Sequence, residues 1–373
     1  MIGQADIWVM AGGAGERFWP LSRAHRPKHL IPLFGEKTLL ELTLQRLEGL
    51  VPAHQLFILT GDAALNETRR LLPHFPADQV IVEPERRDTA AAIALGTALS
   101  MRRNPESVVV FLPADAWIEP TDLFQRQLTE AIHLAQQTEA LVTLAIPPRH
   151  PSTLFGYLKL GEPCVMQKGK SLAYWVQQFV EKPDAAKAQD YLASGDYLWN
   201  SGIFIWKTSA FLREAARVAP QLETFVRDVA AAAEPWKKAT ERFTNIPKQS
   251  IDYALLEKAE RVATVRSEFE WDDMGSWLSF FLRVDPDRSG NRAIDPEALI
   301  ARRAENNAVY SMPSKLPSHN TKPLEGVQKK RLIALCGIND LIVVDTDDAL
   351  LICHENALDE LKKLHAELPP AWL

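Results

Sequence analysis

Strand-like and helix-like segments alternate at short spacing through the first half of the chain, and no other feature narrows the fold as much. Apolar strand candidates at Ile7–Met10, Gln55–Leu59, Gln79–Val82, Val108–Leu112 and Leu141–Ile146 are separated by helical patterns. Those patterns lie near Thr38–Leu50, Asp62–Leu72 and Asp88–Arg103, the last stopped by Asn104-Pro105, and after Thr121. Such alternation predicts an α/β protein with a mostly parallel sheet covered by helices on both faces. Ligands of such sheets bind at the carboxyl ends of the strands. From Thr153 to Trp206 the pattern changes to longer alternating strands, notably Leu172–Val180 and Ile203–Trp206, which predicts an antiparallel extension carrying substrate contacts. After Trp277 the chain turns loop-rich, with Asp285-Pro286-Asp287 and residues 313–323 as irregular stretches, so a boundary is set near residue 285. Residues 1–285 then form the main domain. Residues 286–373 form a small β-rich C-terminal domain with strands at Leu332–Cys336, Leu341–Val344 and Ala349–Cys353 and an amphipathic helix from Glu355 to Leu364.

Composition excludes several classes. A chain of 373 residues with 46% hydrophobic residues and 10 Trp has the side chains for a sizeable core. Lys and Arg number 42 against 48 Asp and Glu, and the net charge of −6 argues against sequence-independent nucleic-acid binding and against a polybasic membrane anchor. Any anionic ligand must be held locally. Cys164, Cys336 and Cys353 are odd in number, far apart and free of CxxC spacing, so neither a disulfide framework nor a zinc knuckle is indicated and a reducing compartment fits. The N-terminus carries no basic leader, and no stretch approaches the roughly 18 apolar residues of a membrane span. The expectation is a cytoplasmic protein.

The strongest local signal is Ala11-Gly12-Gly13-Ala14-Gly15-Glu16-Arg17, set directly after the first strand. Three glycines let main-chain N–H groups wrap phosphate oxygens without a Cβ in the way, and Arg17 adds a fixed cation. Residues 11–30 carry Arg17, Arg23, Arg26 and Lys28 against Glu16 alone, a local positive excess on an acidic chain. Read as G-x-G-x-x-G from Gly13, the loop has Phe18 where the third glycine belongs, which disfavours a dinucleotide fold. A P-loop spacing is absent as well.

The loop is followed by Trp19-Pro20-Leu21-Ser22-Arg23 and Pro27-Lys28, then by Glu83-Pro84 with Arg87-Asp88-Thr89-Ala90 and by Pro113-Ala114-Asp115. Phe155-Gly156-Tyr157, Phe179-Val180-Glu181-Lys182-Pro183 and Trp199-Asn200-Ser201-Gly202-Ile203-Phe204 come next, then Ser250-Ile251-Asp252-Tyr253 and Trp271-Asp272-Asp273-Met274-Gly275-Ser276-Trp277. In this order, over nearly the whole chain, the set resembles the sugar nucleotidyltransferases, and within them the branch that joins GTP to mannose 1-phosphate and releases pyrophosphate. The resemblance implies a Rossmann-like, glycosyltransferase-A-like sheet and Mg²⁺ as cofactor.

It also implies roles, residue by residue. Gly12, Gly13, Gly15 and Arg17 would cradle the triphosphate, with Ala11 and Glu16 in the same nucleotide-binding segment, and Lys28 would bridge the nucleotide and sugar phosphates. Lys182 would hold the sugar phosphate. Asp115 and Asp273 match the magnesium ligands, both hard oxygen donors. Gly156, Glu181, Asn200 and Gly202 would select the sugar, because hydroxyl stereochemistry is read by acceptors and amides in a close pocket. Arg87, Thr89, Ala90 and Pro113 match segments against the nucleoside, although Thr89 would equally serve as the cap of the Ala-rich helix. Glu83 offers an acceptor for the N1–H and amino protons of guanine. A homodimer through the C-terminal segment is the expected assembly, and the second, isomerase domain of bifunctional relatives is not expected here.

The chain departs from the pattern at His29, Asp88, Ala91, Ala116 and Asp272. Two alternatives therefore stay open: the same reaction with glucose 1-phosphate or another nucleotide, and a catalytically weak homologue that binds a nucleotide-sugar and regulates. Other motifs carry less. His25 and His29 are separated by Pro27, which disfavours a helical metal pair, and Trp175, Trp199 and Trp206 read as core.

Overall fold

The computed structural model describes residues 5–13, 15–164, 172–312 and 331–372. Ala14 and the irregular stretch expected at 313–323 lie outside the described residues. The chain forms two compact units, Met1–Gly12 with Leu40–Asp273, and Gly13–Leu39 with Met274–Leu373.

In the first unit the strands are β1 (Ala5–Ala11), β2 (Leu56–Thr60), β3 (Val80–Val82), β4 (Val108–Pro113), β5 (Trp117–Glu119), β6 (Leu141–Ile146), β7 (Tyr157–Pro163), β8 (Ala173–Val180), β9 (Tyr197–Lys207), β10 (Val262–Arg266) and β11 (Glu270–Asp272). A sheet of 9 strands runs β3-β2-β1-β4-β9-β6-β10-β8-β7. It is mixed. β3, β2, β1 and β4 are mutually parallel, where strands and helices alternate in the sequence. β9 lies antiparallel between β4 and β6, and β8 and β7 extend the far edge antiparallel, within the stretch whose pattern changed at Thr153. β5 and β11 pair antiparallel outside this sheet.

β1, β4 and β6 are buried almost throughout because helices cover both faces, as their unbroken apolar runs require. Trp8 of β1 stacks on Phe57 at 4.4 Å and donates its indole N–H to Ser100 at 2.9 Å. The helix Asp88–Arg103 lies close over these rings because its inner face is Ala and Gly: a Cβ on Gly96 would stand 2.6 Å from the Phe111 ring. Trp206 is fully buried among Phe111, Phe204 and Phe211, a core role. Among the described residues no helix is long and apolar enough to cross a membrane.

The second unit holds β12 (Arg292–Ala293), β13 (Leu299–Arg302), β14 (Ala308–Ser311), β15 (Ile333–Cys336), β16 (Leu341–Asp345) and β17 (Leu350–His354). Successive strands alternate between two stacks, β12-β14-β16 and β13-β15, all parallel, with β17 closing the first stack antiparallel. The chain thus winds as a short parallel coil around Ala293, Ala304, Val309, Leu335 and Val343. The expected helix at 355–364 is a 3-10 segment, Glu355–Glu360, followed by an α-helix, Leu361–Glu367.

An asparagine ladder stitches the coils. Asn307, fully buried, donates its side-chain N–H groups to Asn291 Oδ1 and to the Ile338 carbonyl, both at 3.0 Å, and accepts the Leu341 N–H at 3.1 Å. Asn291 donates in turn to the Ala304 carbonyl at 3.0 Å. Removing the Asn307 amide strands buried partners at about 1–3 kcal/mol each. Asn307→Ala is therefore expected to lower the calorimetric melting temperature by several degrees, while Lys362→Ala, an exposed residue of the helix Leu361–Glu367, shifts it little. Equal shifts in the two variants would contradict the ladder's structural role.

Candidate active site

The parallel strands of the first unit end at one level. Thr60, last in β2, donates its hydroxyl to the Ala11 carbonyl at 3.2 Å and accepts the Glu83 N–H on its own carbonyl at 2.9 Å. Ala114, just past β4, donates its N–H to the Met10 carbonyl at 3.0 Å. These bonds bring Ala11, Gly12, Glu83 and Pro113 together at the carboxyl edge of the sheet. Gly12 is exposed, and a Cβ on it would stand 3.2 Å from Glu83 Oε1. The Glu83 carboxyl is pushed up to about 7 by burial, with Arg86 opposing and Asp88 adding to the shift.

Arg87, Thr89 and Ala90 face the segment 246–251. Arg87 donates to the Ile246 carbonyl at 2.7 Å and pairs with Glu85 at 3.0 Å. Thr89 accepts the Ile251 N–H at 2.9 Å, and Ala90 donates its N–H to the Gln249 carbonyl at 3.2 Å. Thr89 is not the helix cap, a position held by Arg87 without a side-chain bond. Asp88 has φ 65°, in the left-handed region that Asn and Asp tolerate best, so the exchange of Asn for Asp is conformationally mild.

Asp115 and Asp273 flank the β5–β11 ladder. Its register pairs Trp117 with Asp272 and Ile118 with Trp271. Both aspartates are half-buried at the same end of the ladder. Among the described residues no group of three or more His, Cys, Asp or Glu forms a metal site. Two hard oxygen donors beside a phosphate ligand suffice for Mg²⁺, which keeps water and substrate oxygens as its remaining ligands. The donor set therefore fits that ion.

A second cluster gathers on the antiparallel side. Asn200, buried on β9, donates its main-chain N–H to the Gly156 carbonyl at 2.8 Å. Its Oδ1 lies 2.9 Å from the Thr143 hydroxyl and accepts the Gly202 N–H at 3.3 Å, while its Nδ2 donates to Asp252 Oδ1 at 3.0 Å. Gly156 is needed here because a Cβ would stand 2.5 Å from Glu181 Oε2. Glu181 is buried and ion-paired with Lys182, and its N–H donates to Glu257 at 2.8 Å. Lys182 adopts φ 46°. Burial works to lower its ammonium pKa, but the hydrogen bond and charge of Glu181, with Asp252 and Tyr253 behind, raise it overall. The Asp252 carboxyl is pushed up to about 7 by burial and by the charge of Glu181. Gly202 has φ 74° and faces Pro113, 3.9 Å from where its Cβ would be. Asp252, Tyr253, Glu257 and Thr143 received no role from the sequence. Only the Ser250–Tyr253 motif pointed at the first two, and Thr143 and Glu257 are visible only through the sheet.

In the second unit, Gly13 is exposed and Gly15 takes φ 66° where a Cβ would meet the Lys28 main-chain N and Cβ, each at 2.7 Å. Glycine is thus required at 15 on both counts. Lys28 is buried, donates to the Met274 carbonyl at 3.0 Å and lies 5.8 Å over the Phe18 ring. Phe18 packs on Trp277, whose indole N–H donates to the Trp19 carbonyl at 3.1 Å. Glu16 and Arg17 are half-buried, and among the described residues Arg17 has no hydrogen-bond or ion-pair partner.

The nucleotidyl transferase family profile matches residues 8–286, and a mannoseP isomerase/GMP-like beta-helix domain profile matches residues 327–368. The chain belongs to the nucleotidyl transferase family. Among its relatives, mannose-1-phosphate guanylyltransferase of Escherichia coli K12 is 33% identical over 95% of this chain and 72% of that protein. The Klebsiella pneumoniae protein of the same name is 30% identical over the same shares. A crystal structure from Thermus thermophilus, described as a mannose-1-phosphate geranyltransferase, superposes with a TM-score of 0.82 at 30% identity, over 97% of this chain and 98% of that one.

The raised Glu83 carboxyl has a thermodynamic consequence. The folded chain holds this proton to about 7 whereas the unfolded chain releases it nearer 4.5, so stability contributed below that lower value is lost as pH rises through the folded value. The expected outcome is that Glu83→Gln gains thermal stability relative to the wild-type protein between about pH 5 and 8, by a few kcal/mol at most. Parallel melting curves across that range would rule out the desolvated carboxyl.

Proposed function

We propose that this protein transfers GMP from GTP to α-mannose 1-phosphate, forming GDP-mannose and pyrophosphate by in-line displacement, as a cytoplasmic homodimer. The names of its relatives and their coverage of the chain support the substrate pair. The observation that carries the phosphate chemistry is Arg17, a half-exposed guanidinium that no described group neutralises, on a loop whose glycines leave main-chain N–H groups open to a polyphosphate.

The attacking oxygen of a phosphate monoester is ionised near neutral pH, its second pKa being about 6, so the reaction needs no general base. Positioning and charge neutralisation then dominate the barrier. Gly12, Gly13 and Gly15 donate N–H groups to the triphosphate, and Arg17 takes up the charge that grows on departing pyrophosphate. Lys28, its ammonium already aimed by the Met274 carbonyl, bridges the nucleotide and sugar phosphates. Lys182 holds the sugar phosphate. Asp115 and Asp273 would hold Mg²⁺, which supplies Lewis-acid neutralisation of phosphate oxygens when bound. Glu83, ionised above about 7, accepts the guanine N1–H and amino protons, two donors that uracil lacks as a pair. Glu181, Asn200 and Gly202 read the sugar hydroxyls, and Gly156 leaves the room that the Glu181 carboxylate occupies.

A panel of the four common nucleoside triphosphates against mannose, glucose and galactose 1-phosphates, scored by pyrophosphate release with Mg²⁺, tests the reading. GTP with mannose 1-phosphate is expected to give the highest kcat/KM. Tight binding of GDP-mannose without turnover would instead favour a regulatory homologue. Arg17→Ala and Asp115→Ala are each expected to lower kcat by a factor of about 100 or more in folded protein. Near-normal turnover in both would refute their roles. Gly156→Ala, which must displace the Glu181 carboxylate, is expected to raise KM for the sugar phosphate about tenfold or more while KM for GTP stays put.

A further inference from the structure

Asn200 can present either of two faces to a sugar. Its amide oxygen has two hydrogen-bonding neighbours, the Thr143 hydroxyl at 2.9 Å and the Gly202 N–H at 3.3 Å. One of its two amide hydrogens points at Asp252 Oδ1 at 3.0 Å. By inventory that leaves one N–H, a donor, for a ligand. Turning the amide by half a revolution would give the opposite polarity. Of the three neighbours, Thr143 does not resist that turn, because its hydroxyl lies 2.9 Å from the Ile203 carbonyl and can donate there while accepting from the turned amide. The Gly202 N–H resists only through a long bond. Asp252 is the remaining neighbour, and above about pH 7, where its carboxyl is ionised, its acceptor oxygen would face the amide oxygen directly after the turn.

Asp252 is itself held from several sides. Its helical turn, Ile251–Ala254, is capped by the Ser250 hydroxyl and tied to Thr89 through the Ile251 N–H. The neighbouring Tyr253 hydroxyl donates to the Glu181 carbonyl at 3.4 Å, and Lys182 and Glu181 supply the charges that face it.

We infer that Asp252 is a positioning residue that fixes the Asn200 amide as a hydrogen-bond donor toward a sugar hydroxyl, acting through Asn200 rather than on the substrate. This rests on the sugar-phosphate reading of the same cluster. The test compares the wild-type protein with Asp252→Ala, Asp252→Asn, Asn200→Ala and the Asp252→Ala/Asn200→Ala double variant in initial-rate assays, with circular dichroism to verify folding. Asp252→Ala is expected to raise KM for mannose 1-phosphate about tenfold with KM for GTP within about twofold, the cost of a misdirected buried amide. Asp252→Asn, whose own amide oxygen still accepts from Asn200, recovers most of that loss. The double variant is no worse than Asn200→Ala, since the two residues act as one unit.

An unchanged KM for the sugar phosphate in Asp252→Ala, equal rises in both KM values, or multiplying effects in the double variant would overturn the inference. If Asp252→Ala fails to fold, Asp252→Ser takes its place in the cycle. If the wild-type protein turns over a different sugar phosphate and not mannose 1-phosphate, the proposed substrate falls, and the same comparison on the accepted sugar still judges Asp252.

Discussion

The chemistry of the first unit depends on four parallel strands stopping at the same height. Thr60 ties the ends of β2 and β1, Glu83 is pinned to β2 through its own N–H, and Ala114 is pinned to β1. Main-chain bonds set this level, so the side chains and loops that leave it start from a fixed plane. That plane is set by core packing further down, where Trp8 stacks on Phe57 and Gly96 lets a helix close over the rings. A shift of one residue in any of the three pairings would carry Glu83 or Pro113 away from Gly12.

Three carboxylates of the molecule carry unusual environments for one reason. Glu83 and Asp252 are withdrawn from water without a full complement of cations, so each resists ionisation near neutrality. Glu181 is equally withdrawn but has Lys182 beside it. Where an acid meets base edges or sugar hydroxyls, such desolvation strengthens each hydrogen bond it accepts. The energetic cost of holding these groups is a property of the folded chain and not of any ligand.

Much of the architecture is written in periodicity. Alternating short apolar runs and helical patterns foretold the parallel strands, and the change of rhythm at Thr153 marked where antiparallel pairing takes over. The glycine run after the first strand was legible as a special turn, and the structure gives the conformational reason at Gly15, where φ is 66° and Lys28 crowds the Cβ position. Other facts were not legible, because they arise from contacts between distant segments. Nothing local in Thr143 or Glu257 tells that one will touch the Asn200 amide and the other the Glu181 N–H. The membership of residues 13–39 in the same compact unit as 274–373 is likewise tertiary. The coil of the second unit was read as short strands only, since strands of 2 to 5 residues carry too little pattern to reveal their stacking.

Lys182 shows how function and robustness diverge at a single residue. Its backbone sits at φ 46°, where a side chain costs about 1 kcal/mol relative to glycine. Glycine there would relax the chain and delete the ammonium that faces Glu181. An engineering campaign that hunts heat resistance by relieving left-handed residues will rank this position high, and under the proposed function should pass over it, because the same substitution removes the partner of the buried Glu181 carboxylate.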